Sequence, residues 1–243
     1  MHTLKWPTII ILLIVMCMPA HAISPEKADI NTGVKAAWQA YLAGKHKFAA
    51  KELKRLAKNK DAHAQNYLGS LHASGLGVKE NQKLAALWYE RAAKQGLAAA
   101  QFNLGFLLLH GAEDGKSPVR AHPKVAAQWL AKAAKQNETG AQYLLCRMYH
   151  QGHGVAQNYS KAITLCRKAA EKNLAGAQFE LGILLIRRLD TKQFAEAYRW
   201  FLLAAKQRFP GARHNVQLLA SRLKADEKEQ AEAAVKDWSP QKQ

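Results

Sequence analysis

Few side chains in this 243-residue chain have the types and spacing to do chemistry. His150 and His153 flank Gly152 and offer two ring nitrogens, but a metal site needs three or four ligands and no third stands nearby. The stretch Gly111-Ala112-Glu113-Asp114-Gly115-Lys116-Ser117 approaches a phosphate-binding loop. It is one residue short between its glycines, has His110 where the first should stand, and follows an apolar helical run instead of a strand. Phosphate is cradled by backbone amides at a strand-to-helix turn, so this segment reads as a plain loop. The chain has three cysteines, Cys17, Cys146 and Cys166, and no Cys-x-x-Cys, no Gly-x-Ser-x-Gly elbow and no metalloprotease helix motif. We therefore expect no catalysis, no cofactor and no metal. A basic run is the remaining feature: Lys45 to Lys60 holds seven basic residues against one acid, Glu52. Within it, Lys47, Lys51, Lys54, Arg55 and Lys58 form either a solvated helix face or a patch for an anionic envelope polymer.

Composition bounds what can position such groups. Hydrophobic residues make up 49% and charged residues 22%, an ordinary globular balance that excludes wholesale disorder. Alanine, leucine, lysine and glutamine dominate, long β-branched alternations are missing, and only seven prolines occur, so helices are expected throughout. The first 22 residues are read separately. Lys5 precedes ten apolar residues, Ile9 to Met18, and Pro19-Ala20-His21-Ala22 offers small residues at the spacing a signal peptidase reads. Ten residues fall well short of the roughly 20 that span a bilayer, so a cleaved leader at 1–22 is expected instead of an anchor. The reading is a periplasmic or secreted chain beginning near Ile23, with no lipid on Cys17. The full chain carries a net charge of +18; an exported chain with that charge suits acidic proteins or anionic polymers, and nucleic acid is not an expected partner.

Self-similarity supplies the architecture. Ala64-Gln65, Ala100-Gln101, Ala141-Gln142 and Ala177-Gln178 each open an apolar run that reaches Leu68-Gly69, Leu104-Gly105, Leu145-Cys146 and Leu181-Gly182. A second block follows each, centred on Trp88, Trp129, Leu165 and Trp200 and closed by a double alanine. Both blocks have the i, i+3, i+4 apolar spacing of amphipathic helices. The distance from that centre to the next first-block alanine is twelve residues every time, whereas the loop inside a repeat varies. A stacked array requires this, because the constant joint sets how neighbours pack while the hairpin tips face solvent. Gly69, Gly105 and Gly182 should admit close approach of the facing helix opposite Ala85, Ala126 and Ala197. Cys146 occupies the Gly69 position and Cys166 the Tyr89 position of one repeat, both core positions facing across the hairpin. An exported compartment permits a disulfide between them; two buried free thiols are the alternative.

The string Ala64-Gln65-x-x-Leu68-Gly69, then Gly75-Leu76-Gly77-Val78, then Trp88-Tyr89-x-x-Ala92-Ala93-Lys94-Gln95-Gly96 resembles the Sel-1-like repeat, a relative of the tetratricopeptide repeat. The third repeat echoes the loop as Gly152-His153-Gly154-Val155, and the fourth has no glycine pair there. The resemblance covers roughly 33 to 238 and implies an all-α, right-handed α/α superhelical solenoid used mainly as a protein-interaction scaffold. We expect a partial repeat or cap over 23–61, repeats at 62–97, 98–138, 139–174 and 175–210, capping helices over 211–238 and a tail at 239–243. The cap should hold a helix near Gly33 to Ala43 with Trp38, Tyr41 and Leu42. At the far end, helices over Ala212 to Leu223 and Ala225 to Trp238 are expected.

The resemblance also implies a binding face. Transferring the tetratricopeptide groove positions gives His63, Asn66 and Ser70; Phe102, Phe106 and His110; Tyr143, Arg147 and His150; Phe179, Ile183 and Arg187; and His214, Leu218 and Arg222. Their aromatic, apolar and basic mixture suits an acidic or amphipathic peptide on the concave side. The polar members should lie on the surface, while Phe102, Phe106 and Ile183 could equally pack between repeats. Some exported, cysteine-rich members of the family bind or hydrolyse β-lactams, but they carry a cysteine pair in most repeats, and this chain has one pair in one repeat. The expected function is therefore a non-enzymatic scaffold, with a β-lactam-binding or β-lactam-hydrolysing enzyme kept as the alternative that the resemblance implies.

Overall fold

The structure is a computed structural model that describes residues 32–112, 118–187 and 193–241. The expected leader at 1–22, Cys17, residues 23–31 and residues 113–117 of the phosphate-like loop lie outside the described residues. Among the described residues twelve α-helices follow one another: α1 Thr32–Leu42, α2 His46–Lys58, α3 Ala62–Ser74, α4 Gln82–Lys94, α5 Ala98–His110, α6 Pro123–Lys135, α7 Thr139–Gln151, α8 Tyr159–Glu171, α9 Ala175–Ile186, α10 Phe194–Lys206, α11 Ala212–Ala220 and α12 Ala225–Lys236. The described residues contain no strand beyond the single Ala112–Val119 bridge, so the fold is all-α. Two compact units arise, one holding α1 to α4 and the other Gln101–Ala112 together with the chain from Val119 onward. Within each, helices pack mainly against their sequence neighbours as antiparallel pairs, the architecture of an α-solenoid, and the last helix, α12, packs back on α10.

Local chemistry starts the helices where the repeat demands. The side chains of Asp61, Asn81 and Asn158 accept the backbone N–H of Ala64, Leu84 and Lys161 at 2.8–2.9 Å, filling orphan donors of the first turn. Pro123 opens α6 at a position that needs no N–H. The constant joint has an equally constant geometry. Lys60, Gly96, Asn137, Asn173 and Arg208 all take positive φ, between 57° and 94°, and each stands eight residues past the centre of its second helix. A left-handed residue there turns the chain from one pair into the next.

The glycines admit the facing helix as expected: the Ala85 carbonyl oxygen would stand 3.3 Å from a Cβ on Gly69. A Cβ on Gly69, Gly105 or Gly182 would also lie within 2.8 Å of Tyr89, Leu130 or Phe201, so the tightest contact is with the bulky residue four past the alanine. Cys146 and Cys166 hold the corresponding pair of positions in the third repeat. They form a disulfide with Cα atoms 5.4 Å apart. The hairpin tips do not simply face solvent either: a Cβ on Gly77 would strike the His46 carbonyl oxygen, and one on Gly154 would strike Pro123, so each loop abuts the start of the preceding pair's second helix.

The recurring glutamines are buried fasteners that pattern reading assigned no task. Gln65, Gln142 and Gln178 donate through Nε2 to the carbonyl oxygens of Ala57, Ala134 and Ala170 on the preceding second helix. Gln65, Gln101 and Gln178 accept in turn from Gln95, Gln136 and Gln207, at 2.8–2.9 Å, just past the end of their own second helix. In the third repeat that position is Lys172, which donates to the Asn137 carbonyl oxygen, and the buried Oε1 of Gln142 has no partner.

At the ends, Trp38 stacks on Tyr41 and Tyr67 as the cap requires, but Leu42 is 66% exposed and contributes nothing to that core. α11 stops at Ala220 and α12 at Lys236, short of the expected limits, while Ala231 and Val235 are buried and Trp238 packs beside them.

Candidate functional site

The first helices of the pairs, α3, α5, α7, α9 and α11, carry the expected binding residues, and the structure divides them. Asn66 and Phe102 are buried, at 5% and 4% exposure, which corrects the surface placement expected for Asn66. Both side chains are enclosed by the packed helices, so neither is accessible to a partner. His63 and Ser70 are half-buried, and Ser70 accepts the Tyr89 hydroxyl. Phe179 packs edge-on against Phe201 and beside Phe209, and Ile183 lines the same core. His214 and Leu218 are exposed on α11, whereas the exposed Arg222 lies in the turn beyond its end.

The second unit brings the remaining residues together. From α5, Phe106 meets His110 in a tilted ring contact with centroids 4.7 Å apart. From α7, Arg147 lies over Tyr143, 5.9 Å from the ring centroid, and hydrogen-bonds its hydroxyl. Burial first, and Glu180 to a lesser degree, push the Tyr143 phenol up against the opposing pull of Arg147. His150 Nδ1 bonds Glu180 Oε1, which ties α7 to α9. At the end of α9, Arg187 donates to the Tyr159 hydroxyl at 2.7 Å and lies over the same ring that faces His150. Burial, then Arg147 and His153, hold His110 below the usual histidine range. The result is a half-exposed row of aromatic rings edged by cations. It can grip a chain by stacking, apolar contact and charge. Sequence reasoning missed Glu180 and Tyr159. Glu180 was detectable as the one charge in the apolar run Ala175–Ile186.

The basic helix α2 presents Lys47, Lys51, Lys54, Arg55 and Lys58 to solvent, all exposed, with Phe48 at 55% exposure among them. Arg55 pairs with Glu52; the others have no ion pair among the described residues. No group of three or more His, Cys, Asp or Glu able to hold a metal occurs among the described residues, and no described helix is long and apolar enough to cross a membrane.

Antiparallel helix pairs, a constant left-handed joint and a residue row along the first helices define a helical-repeat protein of the scaffold class. The Sel1 repeat pattern matches residues 62–97, 98–138, 139–174 and 175–209, and the chain belongs to that family. Sel1-repeat proteins generally act as protein–protein interaction scaffolds, typically without catalysis. A protective antigen of uropathogenic Escherichia coli with the SLR fold is 31% identical, with a TM-score of 0.69 over 79% of this chain and 40% of its own. A Sel1 repeat protein from Oxalobacter formigenes is 26% identical at the same TM-score, over 85% and 83% of the two chains. Among curated proteins, chitin synthase regulatory factor 3 of Schizosaccharomyces pombe is 33% identical over 181 residues, 72% of this chain. A putative sel1-like repeat-containing protein of Acanthamoeba polyphaga mimivirus is 40% identical over 65 residues, 27% of this chain. The chain spans 15% and 12% of the length of these two curated relatives.

Proposed function

We propose that this protein is an exported, non-catalytic scaffold that holds an acidic or amphipathic segment of a partner protein along the concave side of its first helices. The observation that carries the reading is the row Phe106, His110, Tyr143, Arg147 and Arg187 in the second unit, where aromatic rings and cations share one half-exposed face. Aromatic and arginine side chains dominate binding energy at protein interfaces. Export is supported by the leader-like residues 1–22 and by the Cys146–Cys166 disulfide, which needs an oxidising compartment to persist. The antigen among its structural relatives accords with a surface or envelope setting.

The test is photo-crosslinking from Phe106 and Arg187 in the native envelope, followed by capture measurements on variants. Arg147→Glu with Arg187→Glu should weaken partner capture at least tenfold, about 1.4 kcal/mol, without loss of fold. A second reading, attachment to an anionic envelope polymer, is favoured by the exposed stripe of Lys47, Lys51, Lys54, Arg55 and Lys58 on α2. Lys47→Glu with Lys51→Glu separates the two. If that variant loses capture and the arginine variant does not, the first-helix face is not the binding surface.

A further inference from the structure

Between the C-terminal ends of α5 and α7 lies a cavity of about 250 Å³. Its floor is aliphatic, made by Leu109, Leu144 and Met148, and its rim carries His110, Arg147 and His153. Three nitrogen bases from two helices and a loop thus converge on one opening. The guanidinium of Arg147 lies over the Tyr143 ring, and no carboxylate forms an ion pair with it among the described residues. Neither ring of His110 or His153 bonds an acid there. Glu180, whose charge reaches Tyr143, is already engaged by His150. A concave site with an aliphatic floor and a guanidinium that has no ion pair among the described residues suits an anion attached to an apolar group.

We infer that this cavity is a receptor for a peptide carboxylate flanked by an aliphatic side chain, held by the Arg147 fork and by ring N–H groups of His110 and His153. The inference rests on the reading of the first-helix face as a peptide-binding surface and names the chemistry of one subsite within it. Arg147 can donate two parallel hydrogen bonds to both carboxylate oxygens, a geometry an ammonium does not offer. Leu109, Leu144 and Met148 take up the neighbouring hydrocarbon. The carboxylate can belong to the end of a chain or to a glutamate within it. The groups bearing on His110 are Arg147 from α7 and His153 from the loop, both of which resist its protonation, while the phenol of Tyr143 stays neutral. A bound anion reverses that balance, so His110 should gain a proton more readily when the site is filled.

Four probes test this on the purified chain by calorimetry and by the ring resonances of His110 and His153. Acetyl-Leu-Leu with a free C-terminal carboxylate is compared with its amide, and acetyl-Leu-Glu-Leu-amide with its Gln counterpart. At least one carboxylate probe should bind tenfold or more tightly than its neutral mate and shift the His110 ring titration upward. The arm that binds says whether a chain end or a glutamate is the source. Arg147→Gln should remove the difference and Arg147→Lys should restore part of it, while Lys168→Gln, exposed on α8 and outside the cavity, should leave it unchanged. The inference fails if the neutral probes bind as well as the acids, if neither acid binds, or if a folded Arg147→Gln retains the preference. If crosslinks from Phe106 and Arg187 still find a partner after such a failure, the scaffold reading stands and only the subsite is wrong. Carboxylate binding with no partner on that face would have the opposite meaning.

Discussion

The third repeat and its neighbours solve one packing problem in two ways. In the first, second and fourth repeats a glycine on the first helix receives Tyr89, Leu130 or Phe201 from the second, and a glutamine pair fastens the base. In the third, Cys146 and Cys166 close the seam covalently, Lys172 stands where the partner glutamine should be, and Gln142 keeps an unpaired buried oxygen. The comparison teaches that the seam tolerates either shape or a bond, and that the repeat with the bond has given up one hydrogen bond in the fastener.

The largest expected effect comes from breaking the bond. Cys146→Ser with Cys166→Ser opens a loop with a sequence separation of 20 and should cost about 3 kcal/mol in denaturant unfolding. Cys146→Gly with Cys166→Phe should recover part of that loss, because it installs the neighbours' solution. Equal stability of the two double variants would mean that the third seam has diverged beyond the glycine geometry. Next comes shape: Gly182→Ala puts a methyl 2.7 Å from the Phe201 ring and should cost about 1–3 kcal/mol, partly relieved by Phe201→Leu. No change in melting temperature would show that the ring has room to move.

Alkali should distinguish the seams as well. Burial pushes the Tyr89 phenol up to about 12, against the opposing bond to Ser70, and burial also raises Tyr67 and Tyr198 to about 12. A phenol raised in the folded state stabilises fully below the unfolded value of 10.0 and ceases to do so as pH rises through 12. Tyr89→Phe should therefore lessen the loss of stability between pH 10 and 12, a loss the disulfide seam does not share. An unchanged alkaline profile would place the sensitivity in the other two tyrosines. The smallest effect is a repair. Lys172→Gln should pair the orphan oxygen of Gln142 and raise stability by about 1 kcal/mol, read as a higher urea midpoint with an unaltered slope. A lower midpoint would mean that the Lys172 bond to Asn137 matters more.

The helix pairs, their joints and the disulfide were legible because a repeat prints each structural position several times. The twelve-residue spacing marked every joint, and the shared departure at Cys146 and Cys166 marked the crosslink. What stayed hidden depends on direction. Asn66 and Phe102 occupy groove positions by spacing, yet both are buried in the structure. The fastener role of Gln65, Gln101, Gln142 and Gln178 was equally invisible, since a recurring polar residue reads as solvent-facing until its partner, some 30 residues on, is placed beside it. The row around Arg147 was read from homology of position, while the cavity beneath it depends on where His153 falls in a loop.

The uniform left-handed joint also bears on how such a chain changes length over generations. Gly96, Asn137, Asn173 and Arg208 close their turns in the same register, so any two of them are equivalent cut points. Unequal crossover between two joints deletes or duplicates a whole helix pair and rejoins ends that already fit. Cuts inside a pair would separate a glycine from its ring or one cysteine from the other. Natural relatives of different length should therefore differ by complete pairs, with their irregular insertions confined to hairpin loops such as the one after Gly111.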